Sequence, residues 1–343
     1  MKGRVEAISV FLGLLVLLGL GVWDHSRDLV DETKPLNALQ ERTIEWNERF
    51  DALGKEGAYA AFLEEGNAIG YMGAHDLSHI IGEVLYRRYG DQGVMTCTDD
   101  FAFGCYHGFA GTHMSEKGLG SVVDLQQMCR NTSNYLGCEH GIGHAILAFL
   151  GDQELVRALR ACPEGAESVG GCAGGVFMEF NYHTMQSVNG IDPRRYDEKN
   201  PYAPCDSVPE AYVDACYYEL PPWWRITLEE GTKGIPSKEY PILGVRCAPL
   251  SEPHKSTCYR GIGNMIGPRS EYNAGTMEEW CGMLPPGGVA LCYREAVGHL
   301  LQSEEGKEDL RLLCASGKIV AENLCKGPAL HDSSKTLDRT LRE

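Results

Sequence analysis

The chain is short of positive charge. Its 343 residues carry 31 Lys and Arg against 48 Asp and Glu, a formal net charge of −17. A nucleic-acid partner needs a basic footprint for its phosphates, so this balance argues against DNA or RNA binding. Long apolar runs are equally scarce. One runs unbroken from Ala7 to Trp23 and nothing comparable follows, which excludes a multi-span membrane protein. Common catalytic signatures are missing as well. There is no Cys-x-x-Cys-His for covalent haem, no phosphate-cradling glycine loop and no Gly-x-Ser-x-Gly elbow. Disorder is excluded by 43% hydrophobic and 23% charged residues, an ordinary globular mixture.

The single apolar run fixes an expected compartment. Lys2 and Arg4 precede it, and Asp24, Asp28, Asp31 and Glu32 follow. It has the minimum length of a membrane-spanning helix, lacks a small-x-small cleavage pattern, and has no following cysteine for a lipid anchor. Residues 1–23 therefore read as an uncleaved signal anchor. The positive-inside rule leaves the N-terminus cytoplasmic and residues 24–343 periplasmic or extracellular. The membrane is then a partner through this helix, and a protein partner is possible besides. Residues 24–44 read as a polar stalk, 45–326 as the folded domain and 327–343 as a flexible tail.

Cysteine is plentiful, with 14 residues. An even number outside the cytoplasm reads as structural bridges. In order they form pairs at 97/105, 129/138, 162/172, 205/216, 247/258, 281/292 and 314/325, and the pairs recur about every 36 residues. Such a period marks a repeat array. A short amphipathic segment ends at the first cysteine, as from Ser121 to Cys129, Gln153 to Cys162, Thr276 to Cys281 and Glu308 to Cys314. A loop rich in Gly, Pro, Ser and Asn follows, and the second cysteine opens another apolar segment. Each unit reads as helix, loop, helix, with both cysteines at the closed end of the hairpin. Pairing within each hairpin is the expected connectivity, though sequence alone leaves others open. Each such bridge closes a loop of about ten residues and contributes roughly 2–3 kcal/mol. An unstapled hairpin precedes the array, its first helix over Gly57 to Glu65 and its second opening at Gly73-Ala74-His75. The longer intervals hold two insertions, Ile191 to Ala203 and Pro221 to Pro241, which are expected as loops over one face or as a boundary between half-arrays.

The expected fold is thus all-α, a helical-hairpin repeat solenoid with about seven local disulfides behind one N-terminal membrane helix. Ala161-Cys162 closing one helix, Gly171-Cys172 opening the next, and the period near 36 resemble the secreted cysteine-rich Sel1-like repeats, relatives of tetratricopeptide arrays. That resemblance is architectural. It implies a helical solenoid with local disulfides and a concave binding face.

Histidine follows the same ruler. His107 and His140 each lie two residues after the second cysteine of a pair, and His75 occupies the equivalent place in the unstapled hairpin. His79 and His144 follow one helical turn later. Residues four apart share a helix face, and neighbouring helices in an array lie about 8–10 Å apart. These five can therefore converge, and neutral imidazole is a ligand for Zn, Fe or Cu. The expected metal ligands are His75, His79, His107, His140 and His144, with His183 added because it lies four residues after Glu179. Glu139 and Glu179 are the candidate bases if the metal is catalytic; otherwise the site serves storage or delivery. In later repeats the column changes. Arg260 and Asn264 replace the two histidine positions and Arg294 repeats the arginine, which suggests a cationic, cofactor- or anion-binding variant. The glycines around the column persist and read as points of close helix approach. The rival expectation is an interaction scaffold, in which the histidine rings would point apart or lie under the aromatic insertions. His75-Asp76-Leu77-Ser78-His79 also resembles a zinc-protease helix, with an Asp too short for the usual base.

Overall fold

A computed structural model describes residues 38–69, 71–166, 168–185, 193–302, 304–316 and 325–326 of the chain. The expected signal anchor, most of the stalk and the tail lie outside the described residues. The chain divides into two compact units, Met1–Gln40 and Glu41–Glu343, and all that follows concerns the second apart from the first residues of one helix. No helix among the described residues is long and apolar enough to cross a membrane.

Among the described residues there are thirteen α-helices and no strand. Helix α1 (Ala38–Ile69) is broken at Gly54, whose φ of 71° departs from helical geometry. It starts within the segment expected as stalk. Helix α2 (Tyr71–Tyr89) completes the unstapled hairpin. Then come α3 (Gly104–Lys117), α4 (Val122–Cys129), α5 (Tyr135–Leu150), α6 (Leu155–Ala161) and α7 (Cys172–Tyr182). After the first insertion follow α8 (Val213–Ile226), α9 (Pro236–Cys247), α10 (His254–Arg269), α11 (Ala274–Cys281), α12 (Pro286–Gly298) and α13 (Glu304–Ser316). All seven bridges join neighbours within a hairpin, with Cα separations of 5.4–5.8 Å. For five of the seven pairs the Cys spacing thus marks the turn into a second helix from a preceding α- or 3-10 helix; Cys205 instead lies in a turn segment well after the preceding helix, and no helix is described after Cys325.

The second helices of successive hairpins form the core. Helices α2, α3, α5, α7, α8, α10 and α12 pack one on the next in chain order. Glycine permits the contact. A Cβ added at Gly108 would lie 1.9 Å from the carbonyl oxygen of His79, at Gly143 2.0 Å from that of Cys172, and at Gly175 2.0 Å from that of His140. Backbones that close bring neighbouring helices near enough for residues on their shared face to meet.

The insertions are less loop-like than their composition suggests. Pro221 and Pro222 lie inside α8. Trp223 and Trp224 are wholly buried, and their indole N–H groups donate to the carbonyls of Arg194 (2.9 Å) and Pro201 (2.8 Å). An indole needs a partner when buried, and these two use it to tie the first insertion to the core. Burial raises the Tyr272 phenol, and the carboxylates of Asp99 and Asp100 add to the effect. Asp99 in turn feels Lys307 of α13. The first stapled turn is therefore within electrostatic reach of the last hairpins.

Candidate metal centre

Three helices carry the centre. Helix α2 presents His75 and His79, α3 presents His107, and α5 presents His140 and His144. The four-residue spacing sets each pair on one face, and the glycine contacts turn those faces toward α3. His75, His107, His140 and His144 are buried and His79 is half-buried. His75 Nε2 lies 3.2 Å from His79 Nε2, and His79 Nε2 lies 3.3 Å from His107 Nδ1. The His107 ring stacks on that of His144 with centroids 4.3 Å apart. His140 Nε2 lies 3.2 Å from His144 Nε2. Two triads result, His75–His79–His107 and His107–His140–His144, each offering three nitrogens within 4.8 Å of one another.

The surroundings fix which nitrogen carries the proton. His75 Nδ1 sits 2.8 Å from the carbonyl oxygen of Phe101, so Nδ1–H donates and Nε2 keeps its lone pair. That carbonyl is aimed by an unusual turn. Phe101, Ala102 and Phe103 have φ of 52°, 54° and 63°, left-handed backbone without a glycine. Each such residue costs about 1–2 kcal/mol, a strain that clusters where structure serves a site. His144 Nδ1 lies 3.0 Å from Glu179 Oε2. Burial works against ionisation of Glu179, yet hydrogen bonds from His144, Thr184 Oγ1 (2.7 Å) and the Met185 N–H (3.0 Å) hold its carboxyl below the ordinary value. The carboxylate thus accepts from His144 Nδ1–H, again leaving Nε2 bare. His140 is met by the carbonyls of Gly170 and Gly171, while its Nε2 faces His144.

The two Nε2 atoms, 3.2 Å apart, face each other with no other group between them. Two nitrogens at this spacing can also share one metal ion. Burial pushes His140 down to about 3, and the nearby rings act in the same direction. Burial likewise lowers His75, His79 and His107. Neutral imidazoles with Nδ1–H tied to a carbonyl or a carboxylate have the orientation of metal-ligating histidines. The two triads can hold a metal ion.

The remaining expected residues fall elsewhere. His183 follows the last residue of α7 with a left-handed φ of 54°. The helical face it was expected to share with Glu179 therefore ends before it, and its Nε2 bonds Asp152 Oδ2 at 2.6 Å. Glu139 accepts from Tyr135, and from Gln126 at 3.2 Å. Glu179, by contrast, does reach the cluster, through His144 Nδ1 at 3.0 Å. Arg260 is paired with Glu295 at 2.8 Å, a carboxylate that also takes the Tyr218 hydroxyl, so its charge is answered inside the fold. Asn264 Oδ1 meets His299 Nε2 at 3.1 Å. Arg294 is half-buried on α12. No anion site is drawn from these three. His113 is buried against Tyr86 and Phe109, away from both triads.

The groups that the sequence did not announce are the Phe101, Gly170 and Gly171 carbonyls, the Met185 N–H and Thr184. Four are backbone groups, which no residue type marks. Thr184 gave only its closeness to Glu179 in sequence. Comparison with protein families, with curated proteins and with solved structures finds no match to this chain.

Proposed function

We propose that the chain is an extracytoplasmic helical-repeat metalloprotein, a solenoid held to the membrane by its N-terminal run, whose first three hairpins bind a transition metal in the histidine cluster. The observation that carries this reading is the approach of His140 Nε2 to His144 Nε2 at 3.2 Å, with the far side of each ring turned to hydrogen-bond acceptors. Two nitrogens at that spacing, backed on their far sides in this way, are placed to ligate one ion. Zn, Cu or Fe fits a set of neutral nitrogen donors, whereas Mg and Ca prefer oxygen. The hairpin packing and the Sel1-like spacing support the solenoid, and seven disulfides support an oxidising compartment.

A resident metal centre is favoured over a carrier for an exchangeable ion. His107 and His144 are at most 1% exposed, so an ion bound to them leaves only when helices part. Three histidine ligands leave a four-coordinate ion one open position, where water or a substrate atom can bind and be polarised. The scaffold reading expected rings that point apart. They converge instead, with His75–His107 and His107–His140 centroids at 5.4 and 5.6 Å.

The test is metal analysis of the full chain, purified with its disulfides intact, beside the His140→Ala/His144→Ala double variant. Bound transition metal that falls sharply in the variant is the expected result. A metal-free native chain, or a content unchanged by the double substitution, overturns the reading.

A further inference from the structure

His107 is the one histidine common to both triads. Its Nδ1 lies 3.3 Å from His79 Nε2, on the side of α2. Its Nε2 is buried without a hydrogen-bond partner. On the side of α5 the ring stacks against His144. The two lone-pair directions of an imidazole point away from each other across the ring, so one ion cannot use both nitrogens. An ion placed in one triad alone would use only one of the two close pairs, His75 and His79 at 3.2 Å or His140 and His144 at the same distance. Glycine again sets the geometry. Gly108, next to His107, packs on the His79 carbonyl, and Gly141, next to His140, packs on the backbone of Tyr106 and His107. Helix α3 is thereby held between α2 and α5, with its histidine facing both.

We propose that the cluster is a two-ion centre bridged by His107, with one ion on His75, His79 and His107 Nδ1 and the other on His140, His144 and His107 Nε2. This rests on the metal reading above and extends it. The His107 ring brings one N–H to the site. As the second ion binds, that proton leaves to solvent and the ring stays as a bridging anion. Its negative charge lies between the two cations and reduces their repulsion in a site with little water. With each ion about 2 Å from its ring nitrogen, the ions stand about 6 Å apart across the imidazole. That is close enough for two paramagnetic ions to couple through the ring.

The experiment titrates the metal-depleted full chain with Cu2+ and measures both the ions bound and the spins seen by electron paramagnetic resonance. The bridge predicts two copper ions per chain with an integrated signal well below two spins at low temperature. His107→Ala should then give uncoupled copper at full intensity. His75→Ala offers a check that leaves His107 in place, and should hold one copper with an ordinary mononuclear signal. Two ions with full spin intensity in the native chain overturn the bridge. One ion per chain, lost in His140→Ala/His144→Ala, overturns the bridge and leaves the metal reading standing. No bound copper overturns both.

Discussion

The Nδ1 of His144 lies 3.0 Å from Oε2 of Glu179, and this contact crosses from one hairpin to the next. A carboxylate behind a ligating histidine fixes its tautomer and strengthens it as a donor, and loss of such a partner typically costs 10–100-fold in metal affinity. Glu179→Ala should therefore weaken metal binding by roughly that factor. Glu179→Gln keeps the shape and an acceptor oxygen and should lose less. Competition with a chelator of known affinity measures both, and equal affinity in all three proteins would contradict the role.

The glycine contacts make a separate prediction about stability. Gly143→Ala places a methyl group 2.0 Å from the Cys172 carbonyl oxygen, where only backbone can give way. Overpacking of this kind costs about 1–3 kcal/mol or more, so the melting temperature should fall by several degrees. Metal affinity should fall with it, since α5 carries His140 and His144. The same change at Gly120, where nothing lies within 4 Å, should leave both unaltered.

Burial lowers His75, His79, His107 and His140 from the ordinary 6.5, His140 to about 3. The unfolded chain therefore takes up these protons before the folded chain does. The stability that the neutral rings contribute is present above pH 6.5 and is lost as pH falls toward the folded values. Thermal melts of the metal-free chain should show stability falling between pH 7.5 and pH 5, by less in His140→Ala than in the native chain. Identical slopes would contradict the buried neutral state. With metal bound, acidification should also release the ion, because protons compete for the same nitrogens.

The bridge Cys129–Cys138 ends two residues before His140. Its loop is short, so removal should cost about 2–3 kcal/mol in the chain-entropy view. Cys129→Ser/Cys138→Ser should lower the melting temperature and loosen α5, with a larger loss of metal affinity than Cys281→Ser/Cys292→Ser, whose bridge lies in a hairpin without ligands.

Much of the fold was legible because two regular signals coincided. Cysteines at near-constant separation marked the turns, and the apolar segments around them had helical length. The histidine column was legible from the same ruler, since residues two and six places beyond each turn share a face. Other features left weaker marks. Glu139 neighbours His140 in sequence, but one residue turns an α-helix by about 100°, which carries its carboxylate to Tyr135 and Gln126. His183 lost its expected face when α7 ended one residue early. Phe101-Ala102-Phe103 gave no sign of a left-handed turn, since such turns normally declare themselves by Gly or Asn. Arg260 read as a free cation because its partner Glu295 lies in the following hairpin, and pairing across hairpins is set by packing.

Metal bound among these histidines would have a direct crystallographic signature. Anomalous X-ray diffraction from crystals of the full chain, recorded on both sides of the absorption edge of the bound metal, tests it directly. An anomalous peak is expected within the cluster, about 2.0–2.1 Å from His140 Nε2 and His144 Nε2 if the ion is zinc. An anomalous peak only at other residues, or fully ordered histidines with no peak among them in a metal-supplied crystal, would contradict it.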